Sequence, residues 1–441
     1  MGFARQALWT YLVRIVLIPL GVINAVIVAR WLGPSGQGTF AAVTAFVATA
    51  ATVGGLGLSP AVTNAAASDP SAAPALLANA RLTGFVSGIV AALALLGLHL
   101  TTPGVFGEIS FTLLLIAGIA LPFSLIAAQF QAVALGVRQI RQYNFMVIQD
   151  RVLLLFTALA ILVVLGRGVT WLVAGTTVIA AVKLATYDVM LRPGSARWRP
   201  DLRVLRGIGR LSIRAYLATL LAFLVLRSDI MLIHAMLDPT STGVYSVAVR
   251  VAELLLVLPA AIGTILFPKI AASDESSGAH FTAAVSRHTT LAVTVGCAVV
   301  GASAWWLVVF AFGQPYQGAT VCLWILLPGI WCMSVQLIFA NDLAGRDYPV
   351  FLALMWFVLL VVNVALNLLW LPWLGIAGAA ASSTVAYVMS LGLLVRYWLR
   401  RFPEIRAVDL FVLRRDEWST LPSRLRDSLW SRPKDDTGST S

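Results

Sequence analysis

The sequence is poor in charge. Only 11% of its 441 residues are Asp, Glu, Lys or Arg, against about 25% in a typical soluble domain, which excludes a water-facing globular surface. Acids are the scarcer sign, 19 Asp and Glu against 31 Lys and Arg, for a net charge of +12. Cysteine is scarce too: Cys297, Cys322 and Cys332 stand in apolar stretches without CxxC spacing, so neither a disulfide framework nor a zinc site is indicated. The histidines His99, His234, His280 and His288 contain no i, i+4 pair. With no HExxH and no nucleophile elbow either, the sequence is read as having no metal, no cofactor and no enzymatic centre.

What the chain has instead is apolar length. Hydrophobic residues make up 59% of it, and they gather into twelve runs near the length of about 20 residues that a membrane-spanning helix needs. The expected spans are 9–29, 38–58, 82–100, 110–130, 145–165 and 169–186, then 211–233, 243–267, 290–312, 320–339, 350–371 and 375–395. Continuous runs exclude a β-barrel, whose strands alternate apolar with polar residues, and leave helices as the way to satisfy the backbone in lipid. The first run is too long, and too poor in a small-residue cleavage site, for a removable signal peptide. The expected fold class is therefore all-α integral membrane.

The basic residues do not point to nucleic acid, because they gather on one side of these spans. With the N-terminus in the cytoplasm, only Arg30 and Arg167 fall in outside loops. The positive-inside rule then places both termini in the cytoplasm of a multi-pass protein of the cell membrane, inner or plasma. The Arg-rich stretch 192–214 divides the chain, and an internal repeat crosses that division at a shift of 205. Trp31-Leu-Gly-Pro-Ser-Gly-Gln-Gly-Thr-Phe40 lies over Met236-Leu-Asp-Pro-Thr-Ser-Thr-Gly-Val-Tyr245, and Leu121-Pro122 and Gly168-Val169 find partners at nearly the same shift. Two six-helix lobes of like orientation follow, related by a pseudo-two-fold axis along the membrane normal, a geometry used for transport. The expected units are a lobe over 1–190, a basic linker over 191–210, a second lobe over 211–400 and a basic tail over 401–441. In the tail, Leu421, Leu425 and Leu429 suggest a helix on the membrane surface, and 431–441 has the composition of a disordered end.

Five cations fall inside the spans: Arg14, Arg151, Lys183, Arg227 and Arg250. A cation at the centre of a membrane helix is disfavoured by about 2.5 to 3.5 kcal/mol on insertion scales, so each must pair, snorkel or face water. Arg151 and Lys183 sit near the cytoplasmic ends of their spans and are read as snorkelling; Arg14 can snorkel or face a cavity. Arg227 and Arg250 lie deeper, with Asp229 and Glu253 close by in sequence. Arg250 and Glu253, at i and i+3, share a helix face and can form a structural ion pair or a rearranging anion site. Asp229 falls over Asn24 in the repeat, which marks both as cavity-facing candidates, and Asp229 and Glu253 are the candidates for binding a coupling ion. Gly33-Pro-Ser-Gly-Gln-Gly38 lacks the lysine of a phosphate-binding loop and is read as a tight turn. Pro19, Pro122, Pro259 and Pro328 invite kinks, and Gly84-Phe-Val-Ser-Gly88 and Gly378-Ala-Ala-Ala-Ser382 permit close helix packing.

Arg30-Trp-Leu-Gly-Pro-Ser-Gly-Gln-Gly-Thr-Phe40 resembles the LGP turn of polysaccharide transporters, and Gly243-Val-Tyr-Ser-Val-Ala-Val-Arg-Val-Ala-Glu253 and Leu266-Phe-Pro-Lys-Ile-Ala271 resemble the eighth helix of that family and its cytoplasmic end. These are the O-antigen flippases and relatives within the multidrug/oligosaccharidyl-lipid/polysaccharide (MOP) exporter superfamily. The resemblance covers about residues 5 to 400. It implies two lobes around a cavity open alternately to either side, moving a polyprenyl-pyrophosphate-linked oligosaccharide to the outer leaflet, with membrane lipids and glycan-assembly proteins as partners. Arg250 is carried over by motif position. Arg14, Arg227 and Asn24 join it as substrate-binding candidates by depth and repeat position. A multidrug exporter of the same architecture, a membrane glycosyltransferase or polymerase, and a scaffold acting through the tail stay open at this stage.

Overall fold

The structure, a computed structural model, describes residues 3–191, 200, 213–271, 274–346 and 350–412. Every regular element among them is helical. The first helical run extends from Phe3 to Gly55 but breaks at Gly33, with φ 67 and ψ 176, a conformation that only glycine adopts readily. It is therefore two helices, α1 (3–32) and α2 (34–55). Then follow the short α3 (Leu58–Ser68), α4 (Ala73–Thr101), α5 (Phe111–Gly136), α6 (Ile140–Ala158, extended by a π-turn Leu159–Val164) and α7 (Val169–Met190). The second half holds α8 (Ile213–Met236), α9 (Pro239–Glu253), α10 (Val257–Ala271), α11 (Glu275–Phe312), α12 (Ala319–Arg346), α13 (Val350–Leu374), α14 (Ile376–Arg401) and the short α15 (Val408–Phe411). Eleven runs are long and apolar enough to cross a membrane. Splitting the first at Gly33 gives the twelve crossings, with α9 and α10 forming one.

The sequence-based ends agree with the structure to within four residues on the face opposite the termini. On the termini face the helices overrun the apolar runs: α4 begins at Ala73, α11 at Glu275, and α12 and α14 continue to Arg346 and Arg401. The added turns are polar, and packing rather than lipid holds them. Asp342, fully buried, accepts hydrogen bonds from Thr282 at 2.7 Å, Trp398 at 2.8 Å and Arg346 at 3.1 Å, joining α11, α12 and α14. Arg81 pairs with Asp188, and Arg401 with Glu275 at 2.9 Å.

The small-residue patterns do pack closely. A Cβ on Gly88 would lie 2.4 Å from Pro122 Cα, and one on Gly84 2.9 Å from the Ile126 nitrogen, so α4 lies directly on α5. A Cβ on Gly378 would meet the Trp370 carbonyl at 2.7 Å. Of the four prolines, Pro259 has the clearest effect: the helix changes to a 3-10 turn at Leu254–Leu256, where the carbonyl four residues before the ring loses its donor. The linker expected over 191–210 and the tail beyond 412 lie outside the described residues, apart from Leu191 and Pro200.

The pseudo-two-fold axis passes where the repeats touch. A Cβ on Gly38 would stand 1.7 Å from Pro239 O, and one on Gly243 would stand 1.9 Å from Pro34 O. These four residues are two repeat pairs at the shift of 205, so α2 and α9 cross backbone to backbone in a reciprocal contact.

Candidate functional site

Below that crossing the first and second halves enclose a cavity of about 200 Å³. One wall is α2, contributing Phe40, Ala41, Thr44, Ala45 and Ala48; the other is α8 and α9, with Phe223, Arg227, Ile230, Ser246, Val249, Arg250 and Glu253. Four positions on each wall are repeat equivalents: 41 and 246, 44 and 249, 45 and 250, 48 and 253. One repeat carries the charges, and its twin supplies short side chains that leave room for them.

Within this cavity Glu253 does not close on Arg250, one helical turn away. It takes Arg227 of α8 at 3.1 Å, both groups about 30% exposed (30% and 28%). The i, i+3 pairing considered from the sequence gives way to an interhelical one, because the Glu253 carboxylate has a nearer cation across the helix gap. Arg250 is exposed and, among the described residues, makes no ion pair or hydrogen bond. A larger groove of about 780 Å³, lined by Cys332, Leu399, Arg396, Arg400 and Phe411, lies elsewhere, along α14 and α15.

On the face opposite the termini the halves are tied together. Arg30 donates to Ala311 O at 2.7 Å and to Phe310 O, Tyr316 donates to Ala29 O at 2.7 Å, and Gln37 Nε2 to Ser246 Oγ at 3.2 Å. On the termini face Tyr216 donates to Val53 O at 2.8 Å.

A family model for polysaccharide biosynthesis proteins matches residues 3–273, which hold the whole first half, the glycine crossing and both cavity walls. The chain belongs to the polysaccharide biosynthesis protein family. No curated protein sequence matches this family member. Its fold is similar to that of solved MOP-superfamily transporters. An inward-facing multidrug resistance MATE family transporter gives a TM-score of 0.71 at 13% identity, covering 89% of this chain and 98% of the other. The lipid II flippase MurJ, in an inward closed conformation, gives 0.71 at 13% identity, covering 92% and 89%. A MOP superfamily transporter from Pyrococcus furiosus, described as having a binding pocket of reversed polarity, gives 0.63 at 13% identity, covering 89% and 94%. At these identities the likeness establishes the fold: a multi-pass membrane protein in two six-helix lobes.

The remaining sequence candidates of this polysaccharide biosynthesis protein lie apart from the cavity. Asp229 is buried between α8, α9, α13 and α14, where Tyr245 donates to it at 2.9 Å, Asn367 at 2.9 Å, and Ser383 also donates. Asn363 accepts from Ser228 at 3.0 Å and from Asn367 at 3.2 Å, extending the network. No cation pairs with Asp229 among the described residues, and Asn367 Oδ1 is buried without a partner. Asn24, its repeat twin, is half-buried with Oδ1 also unpartnered. The side chain of Arg14 lies outside the described residues.

Sequence reasoning missed the network around Asp229 on the far helices. A signal for it was present: Asn363 and Asn367 stand at i, i+4 in an otherwise apolar run, and so share a face. It also missed the cavity beside Arg151 and Lys183. These line a cavity of about 380 Å³ within the first half, between α5, α6 and α7, together with Ser124, Gln131, Asp150 and Thr176. Lys183 pairs with Asp150 at 2.9 Å.

Proposed function

We propose that this protein is a flippase that carries a polyprenyl-pyrophosphate-linked oligosaccharide from the cytoplasmic to the outer leaflet by alternating access, serving cell-surface polysaccharide synthesis. The observation that carries the reading is Arg250: an unpaired, exposed guanidinium in a cavity whose walls come from both halves of the chain. Its planar donors suit bidentate binding of phosphate oxygens, and the low dielectric around it strengthens the attraction. Arg227 serves as a second contact when Glu253 releases it, and Arg14 and Asn24 as further contacts along α1. With the termini in the cytoplasm, the ties at Arg30, Gln37 and Tyr316 lie on the outer side and outnumber the Tyr216–Val53 bond on the inner, so the outer side is the more firmly closed in this reading.

Asp229 is the coupling site in this reading. A buried carboxylate beside an unpartnered amide oxygen is a place for a proton or a small monovalent cation. Glu253, held by Arg227, acts as a switchable ion-pair partner rather than a free cation ligand.

The test is reconstitution into liposomes with a fluorescent lipid-linked oligosaccharide. Transport by the native chain and its loss in Arg250→Ala are expected. Absence of transport, while a related flippase works in the same vesicles, would sink the reading. Drug resistance conferred by the chain and untouched by Arg250→Ala would instead assign it to multidrug export.

A further inference from the structure

The larger groove along α14 belongs neither to the cavity at Arg250 nor to the network around Asp229. Its floor is one stripe of α14: Val388, Leu391, Gly392, Val395 and Leu399 recur three or four residues apart or at their sums, so they share a helix face. Cys332 of α12 forms one side. Phe411 of α15 forms another, stacked on Trp331 with ring centroids 6.3 Å apart. Arg287 of α11 fixes α15 in place by donating to Asp409 O at 2.7 Å. Gly392 leaves the floor open, since a Cβ there would meet nothing within 4 Å.

Two cations stand at the end of this apolar stripe on the termini face. Arg396 and Arg400 line the same groove, are exposed, and make no ion pair or hydrogen bond among the described residues. Their neighbour Arg401 differs, being taken by Glu275 at 2.9 Å. Like charges at i, i+4 repel, and an anion between them removes the repulsion. From Val388, midway along α14, to Arg400 the stripe runs about 18 Å at 1.5 Å per residue. One leaflet's share of a hydrocarbon core is similar, about 15 Å. An apolar wall that reaches mid-membrane, with two guanidiniums at headgroup level, matches a molecule that joins an acyl chain to a phosphate. A zwitterionic lipid brings its own ammonium beside the phosphate, so two cations without a carboxylate favour a headgroup of net negative charge.

We propose that this groove is a binding site for an anionic phospholipid of the leaflet on the termini side, its phosphate held between Arg396 and Arg400 and one acyl chain lying over Gly392. The site shares no residue with the cavity at Arg250 and does not depend on the flippase reading. A lipid bound there joins α14 to α12 and α15, so the composition of that leaflet sets how firmly the last crossing is held.

The experiment melts the full chain in detergent while phosphatidylglycerol, or phosphatidylcholine with the same acyl chains, is titrated in. Phosphatidylglycerol should raise the melting temperature saturably, and phosphatidylcholine should do so only at far higher mole fraction. Inorganic phosphate should have no effect, because it cannot use the groove. Arg396→Gln and Arg400→Gln should each weaken the apparent affinity for phosphatidylglycerol about fivefold, and the double variant roughly thirtyfold. Gly392→Leu keeps both cations and suits a helix better than glycine, but fills the floor. Without lipid it should melt no lower than the native chain, and it should lose most of the response to phosphatidylglycerol.

A saturable response that survives the double arginine variant would overturn the proposal, as would equal responses to the two lipids, the mark of a general lipid annulus. Loss in the double variant with a native response in Gly392→Leu would reduce the site to surface charge and overturn the groove. Protection by farnesyl pyrophosphate in place of phosphatidylglycerol would overturn it in favour of a transported lipid. No response of the native chain to either phospholipid would overturn it in favour of the chain's own segment beyond 412 as the occupant.

Discussion

The two halves of the chain share an architecture but not an interior. Most of the second half packs around one apolar cluster, running from α8 to α15 and taking in Ala25, Ala29, Ala41 and Ala45 from the first two helices, with a small separate cluster of Leu266, Ile270 and Ile338 beside it. The first half divides its buried residues among separate clusters around Phe130, Phe46 and Val28. The most buried ion pair among the described residues also lies in the second half, although Arg401 and Glu275 there are 30% and 62% exposed. Asp342 and Arg346 are buried in the second half (0% and 8% exposed), whereas Arg81 and Asp188 in the first are 38% and 20% exposed. A duplicated unit has thus kept its crossings while one copy became the more consolidated body. The buried network around Asp229 lies in that copy.

The repeat itself can be put under strain. Arg250→Ala should abolish transport, and adding Ala45→Arg should restore part of it, because the two positions are twins on facing walls of one cavity. Transport rates in liposomes decide this; no recovery would mean that the walls are not interchangeable. The difference in burial comes next. Arg346→Ala leaves a buried carboxylate unpaired and should lower stability by about 3–5 kcal/mol, whereas Arg81→Ala, at a more exposed pair, should stay within about 1 kcal/mol. Thermal melts of the two purified variants test the contrast, and similar shifts would erase it.

Smaller effects are expected at the helix starts that open the repeats. At one turn stands Gly33, with its positive φ; its twin is Asp238, which caps α9 by accepting from the Ser241 nitrogen at 2.9 Å and the Ser241 hydroxyl at 2.6 Å. Gly33→Ala should cost about 1–3 kcal/mol from backbone strain. Asp238→Ala should cost about 1 kcal/mol, the usual size of a lost cap. Burial pushes the Asp238 carboxyl up, but hydrogen bonds from Ser241 and Thr240 outweigh it and hold it below the ordinary carboxylate range. Its stabilisation is therefore present at neutral pH and fades as pH falls through that lowered value. The melting difference between Asp238→Ala and the native chain should shrink on acidification; a constant difference would show that the charge plays no part in the cap.

The crossings were legible because lipid demands uninterrupted apolar length, and each run from 9–29 to 375–395 has its helix. The overruns at Ala73, Glu275, Arg346 and Arg401 were not, because there the helices leave lipid and continue through contacts between distant helices, as at Asp342. The same distinction governs the site. Arg227, Arg250 and Glu253 stood out as charges in apolar runs, but which of them pair is decided across a helix gap that sequence spacing does not describe. Arg151 was assigned to snorkelling by its distance from an apolar boundary at Phe145. The helix begins instead at Ile140, and the side chain lies in a cavity between α5, α6 and α7.

The meeting of Gly38 and Gly243 bears on how such a machine moves. Where most helices interlock through side chains that must climb out of one another's grooves, these two touch along bare main chain. In the proposed transport cycle such a contact would act as a plain bearing, with no side chains to climb over as one helix rolls on the other. Filling it with even a methyl group would force the two helices apart, and under the flippase reading would stop one lobe tilting over the other.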